Sequence, residues 1–428
     1  MKNLLIFSLF LFTIICSTQS RANPSDIFGL DPASRGTAQA SSLINPELWS
    51  AAVHNPAALA GLKGVTAGAS WGYGYMNLNV NGRNPGILDA HGSDLGLATS
   101  IGKIFGIPIS IGTAFHLPDQ MIVRLQAIPA SEARFIMLDN YPHRLEAAMS
   151  AAAAVTDWMK VGFGINVMMD LIGRSLHLNV GSKGGNKTSE MEIDANLPYK
   201  YVPFAGILID RPPWLKPLRF ALFFRDQYSF RLKMNILADV DVAGIVTGDA
   251  IIALKMYDHF SPRKISASAS WDFGKNFTAY ASLEWMQWSK FQAGISLVKI
   301  LVDLGVNPPL VEAVLPSDNF HDTIVPRLGA EFTSGDFTLR AGYAYYATPA
   351  PQQTGISTLM DNNRHIIAGG MSVKFKGPSF WPWPGRLHLS YQLHLLEDRL
   401  EEKVNPTLTN IRHGGNIHHV SAGISMDF

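Results

Sequence analysis

Three arginines in the sequence could carry chemistry, because they lie at polar positions of otherwise alternating segments. In its own segment, each of Arg219, Arg327 and Arg340 stands at one of the alternate positions that hold polar or small residues. The positions in between are largely apolar. A cation enclosed in apolar surroundings is costly unless an anion is bound to it. Each arginine could therefore anchor a carboxylate of a ligand, or pair with a carboxylate of the chain such as Glu284 or Glu331. Internal ion pairs are the commoner role for such residues.

No pattern in the sequence indicates an active site, a metal centre or a cofactor site. Residues 181–188 nearly match a phosphate-binding loop, but Asn186 occupies the second glycine position and no helix is predicted after it. A Gly-x-Ser-x-Gly nucleophile elbow is absent. Four histidines fall on two segments that would be neighbouring strands, without the convergent spacing of metal ligands: His388, His394, His418 and His419. We therefore expect no catalytic residue, no metal and no cofactor.

Composition restricts the class of protein. The chain of 428 residues has a formal net charge of +1, and 16% of its residues are charged, against about 25% in soluble proteins. The near-neutral charge argues against nucleic acid as a partner. Hydrophobic residues make up 47%, yet no run approaches the roughly 20 apolar residues that a membrane-spanning helix needs.

Residues 1–22 are typical of a secretory signal peptide. A positive residue follows the initiating methionine, an apolar stretch covers 4–15, and a small-x-small pattern ends at Ala22. The alternative is a lipoprotein anchor at Cys16, although Ile15 stands where a small residue would be wanted. Cys16 is the single cysteine, so a chain cleaved after the signal has no thiol for a disulfide, a nucleophile or a metal.

Alternation with a period of two is the main structural signal after residue 65. In the last segment Val420, Ala422, Ile424, Met426 and Phe428 alternate with His419, Ser421, Gly423, Ser425 and Asp427. Such segments are typical of strands with one apolar face and one wet face. An exported chain that is rich in them and lacks membrane helices favours a closed barrel in a membrane, because closure leaves no unpaired strand edge in lipid.

The alternating segments number about fourteen, with boundaries good to a few residues. They are 65–81, 93–104, 107–117, 143–155, 158–178, 189–209, 217–234, 249–271, 276–289, 323–333, 337–347, 364–375, 385–396 and 416–428. Short connections alternate with long ones, as in barrels with short periplasmic turns and long outer loops. The sequence therefore predicts an all-β fold, an antiparallel transmembrane β-barrel of about 14 strands over residues 65–428.

Residues 23–64 differ from the rest of the chain. They are rich in small residues, proline and glycine, and show neither the period of a strand nor that of a sustained helix. Such a segment cannot bury enough apolar surface to fold alone. We predict that it lies inside the barrel as a plug, or hatch.

These features and a few motifs resemble the FadL/TodX family of outer-membrane transporters for hydrophobic compounds. Asn55, Pro56 and Ala57, followed by Leu59-Ala60-Gly61, resemble the signature in the family's hatch, and further similarity lies in residues 35–38, 326–332, 339–345 and 348–351. In order, these segments span essentially the whole chain after the signal. The resemblance implies a gating role for Asn55, Pro56 and Ala57, whereas an Asn-Pro pair alone is also an ordinary turn signal.

The resemblance also implies a route for the ligand. Fatty acids or aromatic hydrocarbons would be captured in an external apolar groove, held inside the barrel and released sideways through the wall at a kink in the third strand. Pro108 and Gly112 lie in the predicted third strand and are the kink candidates; alternatively, Pro108 begins the strand and Gly112 fits against the hatch. An acidic ligand would need a cation, for which Arg327, Arg340 and Arg219 are the candidates.

Two predicted outer loops are unusually apolar and supply the candidates for the capture groove. Loop 118–142 contains Phe135, Ile136, Met137 and Leu138, and loop 290–322 contains Leu297, Val298 and Leu301 at roughly helical spacing. The alternative is that these segments only pack on each other and on the barrel rim.

The sequence thus predicts passive transport of hydrophobic molecules across the outer membrane of a Gram-negative bacterium by a protein that is not an enzyme. Alternatives are a barrel enzyme acting on lipid, which would need serine and histidine facing the membrane, and a general porin or structural barrel without a hatch. Predicted partners are a hydrophobic small molecule, outer-membrane lipid and the barrel-insertion machinery, which recognises terminal strands such as the one ending at Phe428. The resemblance implies a monomer.

Overall fold

Strands make up most of the computed structural model, and short helices occur mainly near the N-terminus. The structure describes residues 26–119, 133–139, 146–169, 172–181, 191–196, 199–242, 246–291, 295–303, 311–313, 319–355, 358–376 and 383–428. Side chains of residues 134, 136, 139, 168, 169, 172–181, 191–196, 199, 230–259, 295–303 and 311–313 are not described, so these residues are discussed by backbone position alone. The predicted signal, residues 1–22, lies outside the described residues.

In chain order the strands are β1 (Val65–Val80), β2 (Ala90–Ile104), β3 (Ile107–Pro118), β4 (Arg134–Phe135), β5 (Glu146–Ala154), β6 (Met159–Met169), β7 (Ile172–Gly181), β8 (Met191–Asn196), β9 (Tyr199–Asp210), β10 (Leu218–Arg225), β11 (Tyr228–Val242), β12 (Val246–Ser261), β13 (Lys264–Phe273), β14 (Phe277–Met286), β15 (Ile295–Asp303), β16 (Val311–Ala313), β17 (Thr323–Ser334), β18 (Phe337–Tyr346), β19 (Leu359–Met360), β20 (Arg364–Lys376), β21 (Pro384–Glu401) and β22 (Ile411–Asp427). The α-helices are α1 (Pro32–Gly36), α2 (Ala51–His54) and α3 (Ile136–Asp139), with single 3₁₀ turns at Pro56–Leu59 and Trp288–Lys290.

Fourteen of these strands form one closed barrel, in the order β1-β2-β3-β5-β6-β9-β10-β13-β14-β17-β18-β20-β21-β22. Closure is made by β22 pairing antiparallel with β1, and the amide of Phe428 donates to the carbonyl of Val65 at 2.7 Å. Each of the fourteen predicted segments overlaps one barrel strand. The predicted antiparallel barrel is therefore confirmed.

The period-two pattern places apolar residues outside and polar or small residues inside. In β10, Phe220, Leu222 and Phe224 are exposed, whereas the alternate residues Arg219 and Arg225 are buried. A soluble sandwich would have the opposite arrangement, with the apolar parity buried. The outer surface of this barrel is thus suited to lipid.

A second sheet outside the barrel corrects part of the sequence interpretation. Four predicted single strands are each divided: 158–178, 189–209, 217–234 and 249–271. Their outer parts β7, β8, β11 and β12 join a six-stranded sheet of order β16-β15-β12-β11-β7-β8.

The predicted outer loop 235–248 is a hairpin, paired as far as Val242 with Val246, and the predicted helical spacing of loop 290–322 is wrong where β15 forms. The run Ile295–Asp303 is rich in β-branched residues and pairs with β12, and short apolar runs are ambiguous between helix and strand.

Residues 26–64 pack against the inner face of the barrel, where strands carry glycine. A Cβ atom on Gly342 would lie 2.1 Å from the backbone carbon of Thr37, and one on Gly162 would lie 2.5 Å from the amide nitrogen of Ala57. Because β6 and β18 are far apart in the strand order, this segment reaches widely separated parts of the wall. Such close backbone approach explains glycine in the middle of these strands.

Candidate functional site

The segment of residues 26–64, called the plug here, is built from short capped turns. Helix α1 begins after Asp31, whose side chain accepts a hydrogen bond from the amide of Ser34 at 2.9 Å, and Pro32 occupies the first helical position. Backbone φ is positive at Ala38 and Gln39 (50° and 66°), so the chain turns sharply after the helix. These local contacts give the plug a defined shape despite its lack of periodicity.

Asp31 joins the two halves of the plug. It accepts hydrogen bonds from the hydroxyls of Ser34 and Ser50, and His54 Nε2 lies 3.2 Å from Asp31 Oδ2. Burial alone would raise the pKa of Asp31, but the hydrogen bonds from His54 and Ser34 outweigh it and hold the pKa well below its usual range. Asp31 is therefore a charged, saturated centre of the plug.

The predicted hatch residues Asn55, Pro56 and Ala57 lie together against the wall. The Asn55 side chain accepts from the amide of Ala57 at 3.1 Å and donates to the carbonyl of Leu43 at 2.7 Å. A Cβ on Gly206 of β9 would lie 1.9 Å from Asn55 Oδ1. The Asn-Pro pair thus forms a capped turn, and this turn is seated on a strand that lacks a side chain. Its gating role stays a prediction.

One buried ion pair joins the plug to the first strands of the barrel. Arg35 Nη2 donates to Asp94 Oδ2 at 2.7 Å, and Ser70 and His116 contact the same carboxylate at 2.7 and 2.6 Å. Asp94 is fully buried and Arg35 is 2% exposed. Because removing one member of such a pair leaves a buried charge uncompensated, this contact fixes the plug more strongly than a surface ion pair would.

All three arginines predicted as carboxylate anchors have carboxylate partners within the chain. Arg219 Nη2 lies 2.8 Å from Asp272, Arg327 Nη2 lies 2.9 Å from Glu284, and Arg340 Nε lies 2.7 Å from Glu331. The structure therefore favours the alternative reading, in which these arginines belong to internal ion pairs. Their role as ligand anchors stays a prediction.

The kink candidates Pro108 and Gly112 lie in β3 as the alternative interpretation expected, at the start of the strand and against the plug. Pro108 lies one residue from the start of the strand, and a Cβ on Gly112 would lie 3.0 Å from Leu59 and 3.3 Å from Ala52 of the plug. Pairing with β5 runs without a register shift from Ile109 to His116, and the irregularity beside this strand lies in β2. β3 is therefore continuous in this structure.

The outer face of the wall is hollowed over the strands β3, β5, β6 and β9. An apolar groove of about 420 Å³ lies there, and its rim carries the outward side chains of Met149, Phe163 and Tyr201. Gly112 and Gly164 are among the residues that line it, so the wall is thin at this point. On the inner side of the same wall lies the plug.

The apolar residues of loop 118–142 that the structure describes are buried at the barrel mouth. Phe135, Met137 and Leu138 are at most 7% exposed, and β4 pairs with β19. They belong to one apolar cluster, called the mouth cluster here, which also includes Phe28, Met76, Phe260, Trp288, Tyr346, Met360, Ile366, Leu396 and Ile417. Ile136 lies in α3 between them, and its side chain is not described. Packing on the rim was the alternative for this loop, and the structure favours it.

The groove candidates of loop 290–322 lie in β15 of the outer sheet, on both of its faces. One row of residues that are paired in register across all six strands is apolar: Ile193, Leu176, Ile236, Ile252, Ile300 and Val311. The adjacent row is Asp194, Ser175, Asn235, Ala253, Lys299 and Glu312. By alternation, Val298 shares the face of the apolar row, whereas Leu297 and Leu301 lie on the opposite face.

Sequence reasoning missed Arg364, the first residue of β20. It is 3% exposed, and its guanidinium carbon lies 4.9 Å from the centre of the Tyr346 ring. The Nε and Nη1 atoms have no hydrogen-bond partner among the described residues. Alternation along β20 predicts from the sequence that Arg364 faces the interior of the barrel. The sequence does not show that Arg364 lacks a carboxylate partner among the described residues.

Among the described residues, no group of three or more histidine, cysteine or acidic side chains is placed to hold a metal ion. No helix in the described part of the chain is long and apolar enough to cross a membrane.

Comparison with known proteins shows that part of the chain is similar to a known family. Residues 216–378 match the family model described as outer membrane protein transport protein (OMPP1/FadL/TodX). Alkane uptake protein A of Marinobacter nauticus is 24% identical to this chain over 294 residues, which are 65% of this chain. The match spans 63% of the alkane uptake protein, less than two thirds of that protein's length. The resemblance to the FadL/TodX family and the outer-membrane location predicted from the sequence are confirmed by these matches.

Two solved structures share the fold over nearly their whole length. A crystal structure of a Pseudomonas aeruginosa FadL homologue is 16% identical, with a TM-score of 0.59, and the match covers 93% of this chain and 98% of that one. The P. putida toluene transporter TodX is 14% identical, with a TM-score of 0.57, and covers 92% and 97%.

The buried pair between plug and wall leads to a prediction. Asp94→Asn leaves Arg35 buried without a carboxylate, which should weaken the seating of the plug by about 3–5 kcal/mol. A cysteine introduced at the buried plug position Ser42 should then react with a maleimide more than about 100-fold faster than in the otherwise unchanged protein. The double variant Arg35→Met, Asp94→Leu, which removes both charges, should react nearly as slowly as the parent. Equal rates in the parent and the single variant would contradict this role of the pair.

Proposed function

We propose that this chain, a FadL/TodX-type barrel of the outer membrane, carries hydrophobic molecules passively across that membrane. One observation carries the proposal: the mouth cluster lies at the mouth of the barrel and a second apolar cluster joins the plug to the wall, so both offer apolar contacts to a solute. An apolar solute gains free energy when it leaves water for such surroundings. Known relatives are named for uptake of alkanes and toluene, which fits this solute class.

Capture is assigned to the outer sheet. Its apolar row runs unbroken over six strands, and each member of that row is paired in register with the next. On β11, alternation places Tyr228 on the same face as Ile236, and Tyr228 is fully buried. Ser261, the partner of Tyr228 in β12, bonds to the inward-facing Arg225. The apolar face therefore leads toward the lumen, which suits a surface that delivers hydrophobic molecules to the mouth.

Release is assigned to the thin wall at β3, β5 and β6. The outer groove on these strands is apolar, and the plug lies directly behind Gly112 and Gly162. A small displacement of the plug and of one strand would join lumen and lipid there. A hydrophobic molecule would then pass sideways into the membrane without meeting water.

The alternative functions fit the described residues less well. A lipid-modifying enzyme would need a nucleophile facing the membrane, but the outward histidines His91, His365 and His418 contact Asp119, Tyr343 and Tyr391, none of which is a serine. A general porin would need an open lumen, which the plug fills. We further propose that the protein works as a monomer among outer-membrane lipids and is inserted by the barrel-insertion machinery through its C-terminal strand.

Uptake by whole cells tests the proposal. Cells that lack their own transporters for these compounds should take up a labelled long-chain alkane, alcohol or fatty acid several-fold faster when they produce this protein. A small sugar should show no such gain, because we propose that the plug closes the lumen to polar solutes. If no hydrophobic compound enters faster although the barrel is present in the outer membrane, the proposal is wrong.

The outer sheet provides a matched pair of variants. Ile300→Asp places a charge in the apolar row, whereas Leu301→Asp places the same charge on the opposite face of the same strand. A charge on a capture surface must be desolvated when the solute binds, so Ile300→Asp should slow uptake about tenfold, and Leu301→Asp should change it less than twofold. Equal rates for the two variants would exclude this face as the capture surface.

A reversible cross-link tests the release route. The Cβ atoms of Ala52 and of a residue built at position 112 lie 3.3 Å apart, close to disulfide geometry, so the variant Ala52→Cys, Gly112→Cys should form a bond between plug and β3. Oxidation should abolish uptake and a reductant should restore it. The control is Thr37→Cys, Gly329→Cys, whose Cβ atoms lie 3.1 Å apart on a different part of the wall. Undiminished uptake by the oxidised first variant would contradict release at β3.

A further inference from the structure

The outward side chains near the outer ends of the strands differ between two sides of the barrel. On the neighbouring strands β18, β20, β21, β22, β1 and β2 they are aromatic and polar, and include Tyr343, His365, Tyr391, His418, Tyr75 and His91. On β3, β5, β10, β13, β14 and β17 the exposed residues toward the same end include the apolar Leu117, Met149, Phe224, Ile265, Leu283 and Ile324. Tyr201 on β9 is an exception. The surrounding lipid thus meets a polar side and an apolar side.

The polar side chains are joined into one network where β22 closes the barrel on β1. Tyr75 is paired in register with His418, and Asn77 with Asn416. The Tyr391 hydroxyl lies 2.7 Å from His418 Nδ1, and His418 Nε2 lies 3.0 Å from Asn416 Oδ1. These five residues are called the seam surface here. Each is held by its neighbours, so the surface has a defined shape before any ligand binds.

The seam surface has hydrogen-bonding capacity that the chain does not use. Asn77 Nδ2 donates to Asn416 Oδ1 at 3.2 Å, which leaves Asn77 Oδ1 and Asn416 Nδ2 without a partner among the described residues. One acceptor and one donor therefore stand side by side on the outside of the barrel. The ring of Tyr75 lies next to them and is 47% exposed. A sugar ring fits this combination, because its hydroxyls both donate and accept while its C–H groups pack on an aromatic ring.

The residues on either side of the seam surface place it at the level of lipid head groups. Toward the short turns, the outward residues Trp71, Val420 and Leu389 are between 45% and 48% exposed and largely apolar. Toward the long loops, Asn79 and Arg412 are exposed. Because the long loops mark the outer end of such a barrel, the seam surface faces the outer leaflet, with acyl chains below it and water above it.

Charge distinguishes between classes of lipid. The head of a phospholipid is a phosphodiester, which is bound best by cations. The seam surface contains amides, phenols and an imidazole but no lysine or arginine, and Arg412 lies four residues beyond Asn416, 3.8 Å from Asp398. Uncharged donors and acceptors at the head-group level suit the hydroxyl and amide groups of a saccharide better than a phosphodiester.

We propose that the seam surface binds the saccharide head of a glycolipid of the outer leaflet, whose acyl chains lie along Trp71, Val420 and Leu389. The ligand is part of the membrane around the barrel. The inference is therefore independent of the solute that the lumen carries.

Native mass spectrometry of the purified barrel in detergent tests the inference, with lipid A, an acylated and phosphorylated glucosamine disaccharide, as the probe. The parent should bind lipid A at least about fivefold more tightly than phosphatidylglycerol. The double variant Asn77→Val, Asn416→Val loses the free donor and acceptor, and should weaken lipid A binding about tenfold while phosphatidylglycerol binding changes less than twofold. The matched control, Leu283→Ala, Ile324→Ala on the apolar side, should bind both lipids as the parent does.

A second variant keeps the test decisive if the paired asparagines are needed for closure of the barrel. Tyr75→Leu leaves the amides in place but removes the exposed ring, and should also lower the affinity for lipid A severalfold. Equal lipid A binding by the parent and by the folded variants overturns the inference, as does a parent that binds phosphatidylglycerol equally well. A parent complex of twice the barrel mass that the asparagine variant loses would make the seam surface a contact between two copies of the chain, and would also overturn the inference. None of these results bears on the proposed uptake.

Discussion

The close seating of the plug on inward glycines is the constraint on which the rest of the structure depends. Strands at distant parts of the barrel present glycine where the plug backbone approaches, as Gly342 does at Thr37 and Gly162 at Ala57. Any side chain at these positions would push the plug away from the wall. With the plug in place, the buried pair of Arg35 and Asp94 becomes possible, and the apolar residues of the plug pack against the inner side of the wall.

A closed lumen changes what kind of solute the barrel can serve. Polar solutes need hydrogen bonds along their whole path, whereas a hydrophobic molecule needs only a series of apolar surfaces. The described residues supply three such surfaces in order: the apolar row of the outer sheet, the mouth cluster, and the groove on the outer face of β3, β5, β6 and β9. Two buried arginines beside the Tyr346 ring, Arg327 and Arg364, interrupt this apolar lining at the mouth.

Local periodicity explains what could be predicted from the sequence. Alternation located all fourteen barrel strands and placed Arg219, Arg327 and Arg340 inside, because parity alone decides which face a residue occupies. It did not reveal where a strand leaves the barrel, so β10 and β11 were merged into one element. The burial of Phe135 depends on pairing between β4 and β19, which are remote in sequence, and the lack of a partner for Arg364 is likewise a property of the folded chain.

The central claim is that the barrel is closed to water but still passes hydrophobic molecules. The most direct test is the electrical conductance of the purified protein in a planar lipid bilayer. The account predicts that inserted parent protein carries no steady ion current, while removal of the plug residues 26–64 opens a stable conductance of the size expected for an empty fourteen-stranded barrel. A steady porin-like current through the parent protein would contradict the account, because it would show a continuous aqueous path past the plug.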